Sequence, residues 1–178
     1  GFSPFSTGCH VIIADGLTGT DDVAVPVEGA EYCAEAYIGR AVMDADIVIS
    51  LNHFKGHEEA GFGGAIKNLG MGCGSNRGKR DMHSCGKPSV DPEKCVACGE
   101  CARNCAHDGP QLRDGKMFIN QINCMGCGRC IDVCPTNAIY HNDHLAAETL
   151  NCKMAEYAKA VVDGRPQFHI SLVCDVSP

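Results

Sequence analysis

The sequence predicts an α/β fold in which a partial parallel-sheet domain is interrupted by a small inserted α+β domain. Strand-like and helical runs alternate in the first 90 residues, a cysteine-rich repeat fills residues 91–141, and a helix and a strand follow in residues 142–178. Because strands that alternate with helices favour a parallel sheet covered by helices, the two flanking segments are expected to form one domain. The predicted domains are therefore 1–90, 91–141 and 142–178, the last continuing the first.

The elements of the flanking segments follow from apolar runs. HVIIADG (residues 10–16) and DADIVISLNHF (44–54) are predicted to be buried strands, with a helix over 32–43 between them. After the insert, apolar residues recur at helical spacing up to residue 162, and a glycine and a proline end that helix. FHISLVCDV (168–176) supplies another strand. Since the chain stops after this strand and does not begin with Met, we expect a fragment of a longer polypeptide.

Charge and hydropathy exclude several classes of protein. The net charge is −7 and no long run of Lys or Arg stands out, so a nucleic-acid partner is not expected. No run reaches the roughly 18 apolar residues that a membrane span needs, and no signal peptide is evident. We expect a cytoplasmic protein, and 14 cysteines without secretory features point to metal rather than to disulfides.

Two copies of one cysteine spacing dominate the insert. CVACGECARNC begins at Cys95 and CMGCGRCIDVC begins at Cys124, each with three cysteines at x2 spacing and a fourth after x3. This is the spacing of bacterial iron–sulfur proteins, whereas zinc sites usually combine separate CxxC pairs. Two independent zinc sites are the alternative. Pro135 follows the second copy as the pattern requires, but Ala106 stands at that position in the first.

The repeat resembles that of bacterial two-cluster ferredoxins, in which the fourth cysteine of each run ligates the other cluster. The resemblance implies a ferredoxin-like insert with two [4Fe–4S] clusters. One would be held by Cys95, Cys98, Cys101 and Cys134, the other by Cys124, Cys127, Cys130 and Cys105. Between the copies, Asp114-Gly115 predicts the turn of a short hairpin.

A second candidate site lies in the glycine-rich segment 56–72, which follows a predicted strand. Gly61, Gly63 and Gly64 are expected to open a helix near residue 64, whose backbone amides could hold an anion beside Lys67. His53 and His57, with Glu58 beside them, could instead ligate a further metal; the alternative is a loop that packs against the insert. The segment matches neither the phosphate-binding loop nor the dinucleotide fingerprint.

The remaining cysteines fall into two groups. Cys73 and Cys85 flank a predicted basic turn, where they could react, bind metal or pack within the loop. The others are expected to be small buried hydrophobes: Cys9, Cys33, Cys152 and Cys174.

Taken together, STGCHVIIADGLTGTDDV, HFKGHEEAGFGGAIKNLGMGCGS and the cysteine repeat resemble domain-of-unknown-function family 362, labelled uncharacterised iron–sulfur centre proteins. The run HEEAGFGGAIK is also similar to a segment of lactate racemase proteins that holds a nickel-bearing pyridinium cofactor. That likeness would implicate His57, the three glycines and Lys67.

Three functions are compatible with the sequence. The first is an electron-transfer module that serves a redox partner protein, as in an anaerobic prokaryote. The second is a redox enzyme that acts on a small anionic substrate or cofactor at the glycine-rich segment. The third is a structural role in which the clusters only hold the fold together.

Overall fold

The computed structural model describes residues 1–57, 60–142 and 145–176. The chain divides into two compact units, one formed by Gly1–Gly78 and Cys152–Pro178 and the other by Lys79–Asn151. The predicted domain bounds at residues 91 and 141 remain a prediction. No helix in the described part of the chain is both long and apolar enough to cross a bilayer.

The described elements are short, apart from one helix near the end of the chain. The strands are β1 (Asp22–Pro26), β2 (Glu35–Gly39), β3 (Val48–His53), β4 (Lys55–His57), β5 (Gly61–Gly63), β6 (Pro88–Val90), β7 (Pro110–Arg113), β8 (Lys116–Ile119), β9 (Ile139–His141) and β10 (Gln167–Leu172). The α-helices are α1 (Pro4–Thr7), α2 (Arg40–Met43), α3 (Ala65–Lys67), α4 (Asn76–Met82), α5 (Glu100–Arg103), α6 (Arg129–Asp132) and α7 (Ala146–Val162). A π-helical turn (Asn68–Gly72) follows α3, and a 3₁₀ turn (His83–Gly86) follows α4.

A small parallel sheet confirms part of the predicted fold. Strands β3 and β10 pair in parallel although the whole insert separates them in sequence, as expected for the resumption of one α/β domain. Their register places Ile49 beside Phe168 and Leu51 beside Ile170. These four side chains share one face and are exposed, so the prediction of a strand buried on both faces is wrong for this side of the sheet.

Two other predictions near the start of the chain are wrong. Residues 10–13 form no strand, and Val11, Ile12 and Ile13 are exposed, because this run pairs with no neighbouring strand among the described residues. The predicted helix over 32–43 is instead β2 followed by the single turn α2. Ala36 and Ile38 are fully buried at alternate positions of β2, which pairs antiparallel with β1. Period-two burial therefore prevailed over the helical pattern.

The long helix α7 confirms the helix predicted after the insert, and Gly164 with φ +72° follows its end. Buried side chains line one side of α7, including Met154, Tyr157 and Val161. In the unit that contains Gly1–Gly78, the Glu156 carboxylate accepts backbone hydrogen bonds from three successive residues, 31–33, at 2.7–3.2 Å. One helix side chain thus satisfies the amides of a loop that has no regular structure of its own.

The unit formed by Lys79–Asn151 consists of two similar halves. β7 and β8 form the predicted hairpin, and Asp114 and Gly115 at its turn both have positive φ, as a type I′ turn requires. β6 pairs antiparallel with β9. The core between these elements is built from Cys95, Cys101, Met117, Ala138 and Ile139. Two predicted ligands are therefore part of the hydrophobic core itself.

Candidate metal centre

The cysteine repeat of the sequence is also a repeat of backbone conformation. Ala97 and Gly126, which occupy the same position in the two copies, both have positive φ, at 54° and 76°. The same is true of Gly99 and Gly128, which begin helices α5 and α6. A left-handed residue inside a CxxC segment turns the chain back on itself, so the cysteines on either side point toward a common volume.

The first predicted set of cysteines lines one pocket. The walls of this pocket include Cys95, Cys98, Cys101 and Cys134. Cys134 comes from the second copy and the other three from the first, as the crossed arrangement requires. The rest of the wall is largely apolar and includes Val96, Met117, Pro135, Ala138 and Ile139.

The second predicted set is brought together in the corresponding way. A side chain added at Gly109 would lie 3.6 Å from Cβ of Cys124 and 3.7 Å from Sγ of Cys105, so these two cysteines meet across the same glycine. An ionised Cys127 or Cys105 would raise the pKa of Cys124, and an ionised Cys124, Cys127 or Cys101 would raise that of Cys130. Cys105, from the first copy, therefore lies with the cysteines of the second.

Backbone amides are directed at the sulfur atoms of both sets. The N–H of Ala97 donates to Sγ of Cys95 and that of Gly126 to Sγ of Cys124, each at 3.4 Å. For the fourth ligand of each copy, the N–H of Gly109 donates to Cys105 at 3.4 Å, and that of Ala138 to Cys134 at 3.2 Å. Hydrogen bonds of this kind stabilise negative charge on sulfur and orient the ligand.

The environment shifts the pKa of several thiols. Burial raises the pKa of Cys101 and of Cys124, and burial with the neighbouring Cys124 and Cys127 raises the pKa of Cys130 to about 12. Burial also opposes ionisation of Cys134, but hydrogen bonds from the backbone of Thr136 and Ala138 outweigh it and lower the pKa. The raised pKa values of Cys101, Cys124 and Cys130 favour the protonated thiols, so metal binding there would release protons.

The cysteines of the two sets are compatible with iron–sulfur binding. No group of three or more His, Cys, Asp or Glu is arranged to hold a single metal ion among the residues that the structure describes. A [4Fe–4S] cluster is held by four cysteines, but each binds a different iron and the sulfurs lie further apart. Four thiols around a largely apolar pocket, with N–H groups aimed at sulfur, suit such a group.

The glycine-rich segment folds as a hairpin followed by a short helix. Gly61 and Gly63 lie in β5, which pairs antiparallel with β4, and α3 begins directly after Gly64 as predicted. A Cβ built on Gly63 would lie 3.4 Å from Cδ of Lys67, so the aliphatic stem of this lysine passes over the strand. Phe54 and Phe62 are in contact, with ring centroids 5.3 Å apart. The expected anion site remains a prediction.

The two histidines predicted as possible metal ligands, His53 and His57, each form a hydrogen bond with the backbone. Nε2 of His53 donates to the carbonyl oxygen of Cys174 at 2.7 Å, and Nδ1 of His57 accepts from the N–H of Ala60 at 3.3 Å. Glu58, which the sequence placed beside them, lies outside the described residues. These contacts orient both rings, and a further metal or cofactor there stays a prediction.

The other cysteines differ from expectation in two ways. Cys9 and Cys174 are exposed, so the prediction that they are buried is wrong, whereas Cys33 is buried. The predicted basic turn after Cys73 is instead helix α4 with its 3₁₀ extension. The Cys85 thiol, in this 3₁₀ extension, donates a hydrogen bond to the carbonyl oxygen of Met82 at 3.5 Å.

Sequence reasoning overlooked two polar features. On the covered face of the parallel sheet, Nδ1 of His169 is 2.7 Å from Oγ of Ser50, which also accepts from the side chain of Asn52 at 2.9 Å. The second feature is a lysine in each half, Lys87 and Lys116, whose separation in sequence equals that of the two cysteine runs. That common spacing was available in the sequence as a signal.

Comparison with protein families matches residues 1–178 to the family described as Domain of unknown function (DUF362). The match spans the whole chain, so this protein belongs to that family. A search of curated proteins found no match.

Proposed function

We propose that this member of the DUF362 family is an iron–sulfur electron-transfer protein with two [4Fe–4S] clusters in a ferredoxin-like insert. The family carries no assigned activity, and the 14 cysteines of this chain are compatible with iron–sulfur binding. The observation that supports the proposal is the exchange of fourth ligands, in which Cys134 lines the pocket of the first triplet and Cys105 meets Cys124. When bound, such clusters would take up and release single electrons.

The protein contributes ligands, hydrogen bonds and exclusion of water. As thiolates, the eight cysteines would supply the negative charge that holds the iron, and N–H groups of the loops would stabilise that charge. Apolar walls around the first site lower the local dielectric and keep solvent from the buried cysteines Cys95 and Cys101.

A redox partner protein would approach through the exposed ligands. Cys98 and Cys127 are exposed, whereas the other six predicted ligands are buried or half-buried. These two cysteines are the second of their respective runs and therefore occupy the same place in the two halves. Each predicted cluster would have its solvent-facing edge at one of them, and a partner would need to dock there to exchange electrons over a short distance.

The test is the metal content and redox behaviour of protein purified without oxygen. We expect about eight irons and eight labile sulfides per chain, with no stoichiometric zinc, and a reduced form that gives an EPR signal. Repeated reduction and reoxidation without loss of iron would separate electron transfer from a merely structural role. Zinc in the absence of labile sulfide would contradict the proposal.

A second candidate function is a redox enzyme that binds a small anion or cofactor at Gly61, Gly63, Gly64 and Lys67. The placement of the Lys67 stem over Gly63, next to the start of α3, favours it. In that case the clusters would supply electrons to the bound ligand. Binding of a phosphate-bearing metabolite or a metal ion to this segment would support the enzyme over the simple carrier.

A further inference from the structure

A lysine in each half of the cluster-binding unit is attached to a cysteine loop. Nζ of Lys116 donates to the carbonyl oxygen of Cys95, and Nζ of Lys87 donates to the carbonyl oxygen of Gln121, both at 2.7 Å. Gln121 lies in the turn that leads into Cys124, whose N–H bonds to the carbonyl of residue 120. Each ammonium group is thus fixed to the chain at the entry of one cysteine loop.

The two lysines cross between the halves in the same way as the fourth cysteines. Lys87 precedes the first cysteine run but bonds to the loop of the second, and Lys116 precedes the second run but bonds to the loop of the first. The lysines occupy equivalent positions of the internal repeat, but their acceptors do not, since Gln121 lies three residues before the first cysteine of its run.

Neither of these lysines is paired with a carboxylate among the residues that the structure describes. By contrast, Lys94, next to Cys95 in sequence, lies 3.2 Å from the Asp91 carboxylate. Fixing a lysine side chain costs conformational entropy, and a neutral carbonyl is a weaker partner than a carboxylate. An ordered ammonium whose charge is not balanced by a carboxylate stabilises negative charge that is added close to it, and this effect weakens with distance.

Resting on the proposed function, we propose that Lys116 and Lys87 each hold a positive charge beside one cluster, and that this charge makes that cluster easier to reduce. Lys116 would act on the cluster of Cys95, Cys98, Cys101 and Cys134, and Lys87 on the cluster that contains Cys124. Transfer of one electron from an external donor adds one negative charge to a cluster, with no bond made or broken. A nearby ammonium stabilises the reduced form more than the oxidised form, so the midpoint potential rises.

The experiment is a potentiometric EPR titration of anaerobically purified protein, with dithionite as reductant and with iron and sulfide measured on every sample. Lys116→Gln and Lys87→Gln keep a hydrogen-bond donor and remove the charge, and Lys116→Met and Lys87→Met remove both. Lys116→Arg and Lys87→Arg keep the charge. Lys94→Gln is the matched control, because its ammonium is exposed and paired with Asp91.

We expect each Gln variant to keep full iron and to shift the midpoint of one cluster to a more negative potential, a different cluster for each lysine. If the two clusters of the unaltered protein titrate together, each variant should split the single wave into two. The Arg variants should restore the original midpoint, and Lys94→Gln should leave it unchanged.

Three results would overturn the inference. The first is full iron with unchanged midpoints in the Gln variants, and the second is a shift of the same cluster by both lysines. The third is loss of iron in the Met variants while the Gln variants keep their midpoints, which would assign the lysines to loop structure alone. If the unaltered protein held no cluster at all, the proposed function would fall as well, and the metal analysis identifies that case separately.

Discussion

A single methyl group at Gly126 should disturb the second cysteine loop more than the same group at a matched position. Gly126 has φ +76°, and a Cβ built there would collide with the carbonyl oxygen of His83. The matched position is Gly115 at the hairpin turn, which has the same φ of +76° but no neighbouring atom within 4 Å. Comparison of Gly126→Ala with Gly115→Ala therefore separates the steric contact from the cost of the backbone conformation.

The magnitude follows from these two terms. A left-handed conformation costs a non-glycine residue about 1–2 kcal/mol, which is the whole effect expected for Gly115→Ala. Displacing a backbone carbonyl in a packed region adds about 1–3 kcal/mol, so Gly126→Ala should cost about 2–5 kcal/mol. For a unit of this size, 1 kcal/mol corresponds to about 4–8 °C in melting temperature. We expect Gly126→Ala to melt at least about 4 °C below Gly115→Ala.

The assay is thermal unfolding of anaerobically purified protein at one fixed scan rate, followed by circular dichroism, with iron measured on the same samples. Because the N–H of Gly126 bonds to Sγ of Cys124, Gly126→Ala should also lower the iron content, while Gly115→Ala should keep it. Equal melting temperatures and full iron in both variants would refute the assignment of Gly126 to a tightly packed ligand loop.

Two further predictions concern the other unit. Glu156→Gln should lower the free energy of unfolding by about 1–3 kcal/mol, because charge-assisted hydrogen bonds to residues 31–33 are weakened. The control Glu148→Gln, on the exposed side of the same helix, should change the free energy of unfolding by less than about 0.5 kcal/mol. Thermal unfolding would measure both variants, and equal effects would contradict the role of Glu156 in binding the amides of residues 31–33. Lys67→Ala should weaken binding of inorganic phosphate or a phosphate-bearing metabolite, measured by calorimetry, without changing the iron content. Lys94→Ala is the control and should bind as the unaltered protein does. Equal binding by the unaltered protein and both variants would make the glycine-rich segment a packing element.

The loops that carry the predicted ligands were more accessible to sequence reasoning than the domain around them. Cysteine spacing is a local property, since the loop between Cys95 and Cys101 needs only small residues and a left-handed turn. The turn of the β7–β8 hairpin is also local, because Asp114 and Gly115 adopt its conformation themselves. Strands β3 and β10 and a parallel sheet were also predicted, because each strand carries its own apolar run, but the pairing of these two strands with each other was not.

The first part of the chain, up to Met43, shows where local patterns mislead. Residues 35–39 carry apolar side chains that suit either a helix or a strand, and their pairing with β1 decided the outcome. Residues 10–13 are as apolar as β3 but find no partner strand among the described residues, so their β propensity has no consequence there. Strand formation depends on a neighbour, which a single segment of sequence does not reveal.

The most direct test of the account is to ask which cluster each fourth cysteine serves. EPR spectra and iron contents of Cys105→Ala and Cys134→Ala would be compared with those of Cys127→Ala and Cys98→Ala, all purified without oxygen. Because Cys134 lines the pocket of the first triplet and Cys105 meets Cys124, Cys134→Ala should match Cys98→Ala, and Cys105→Ala should match Cys127→Ala. The reverse match, in which each fourth cysteine behaves like the triplet of its own copy, would contradict the exchange of ligands on which the proposed function rests.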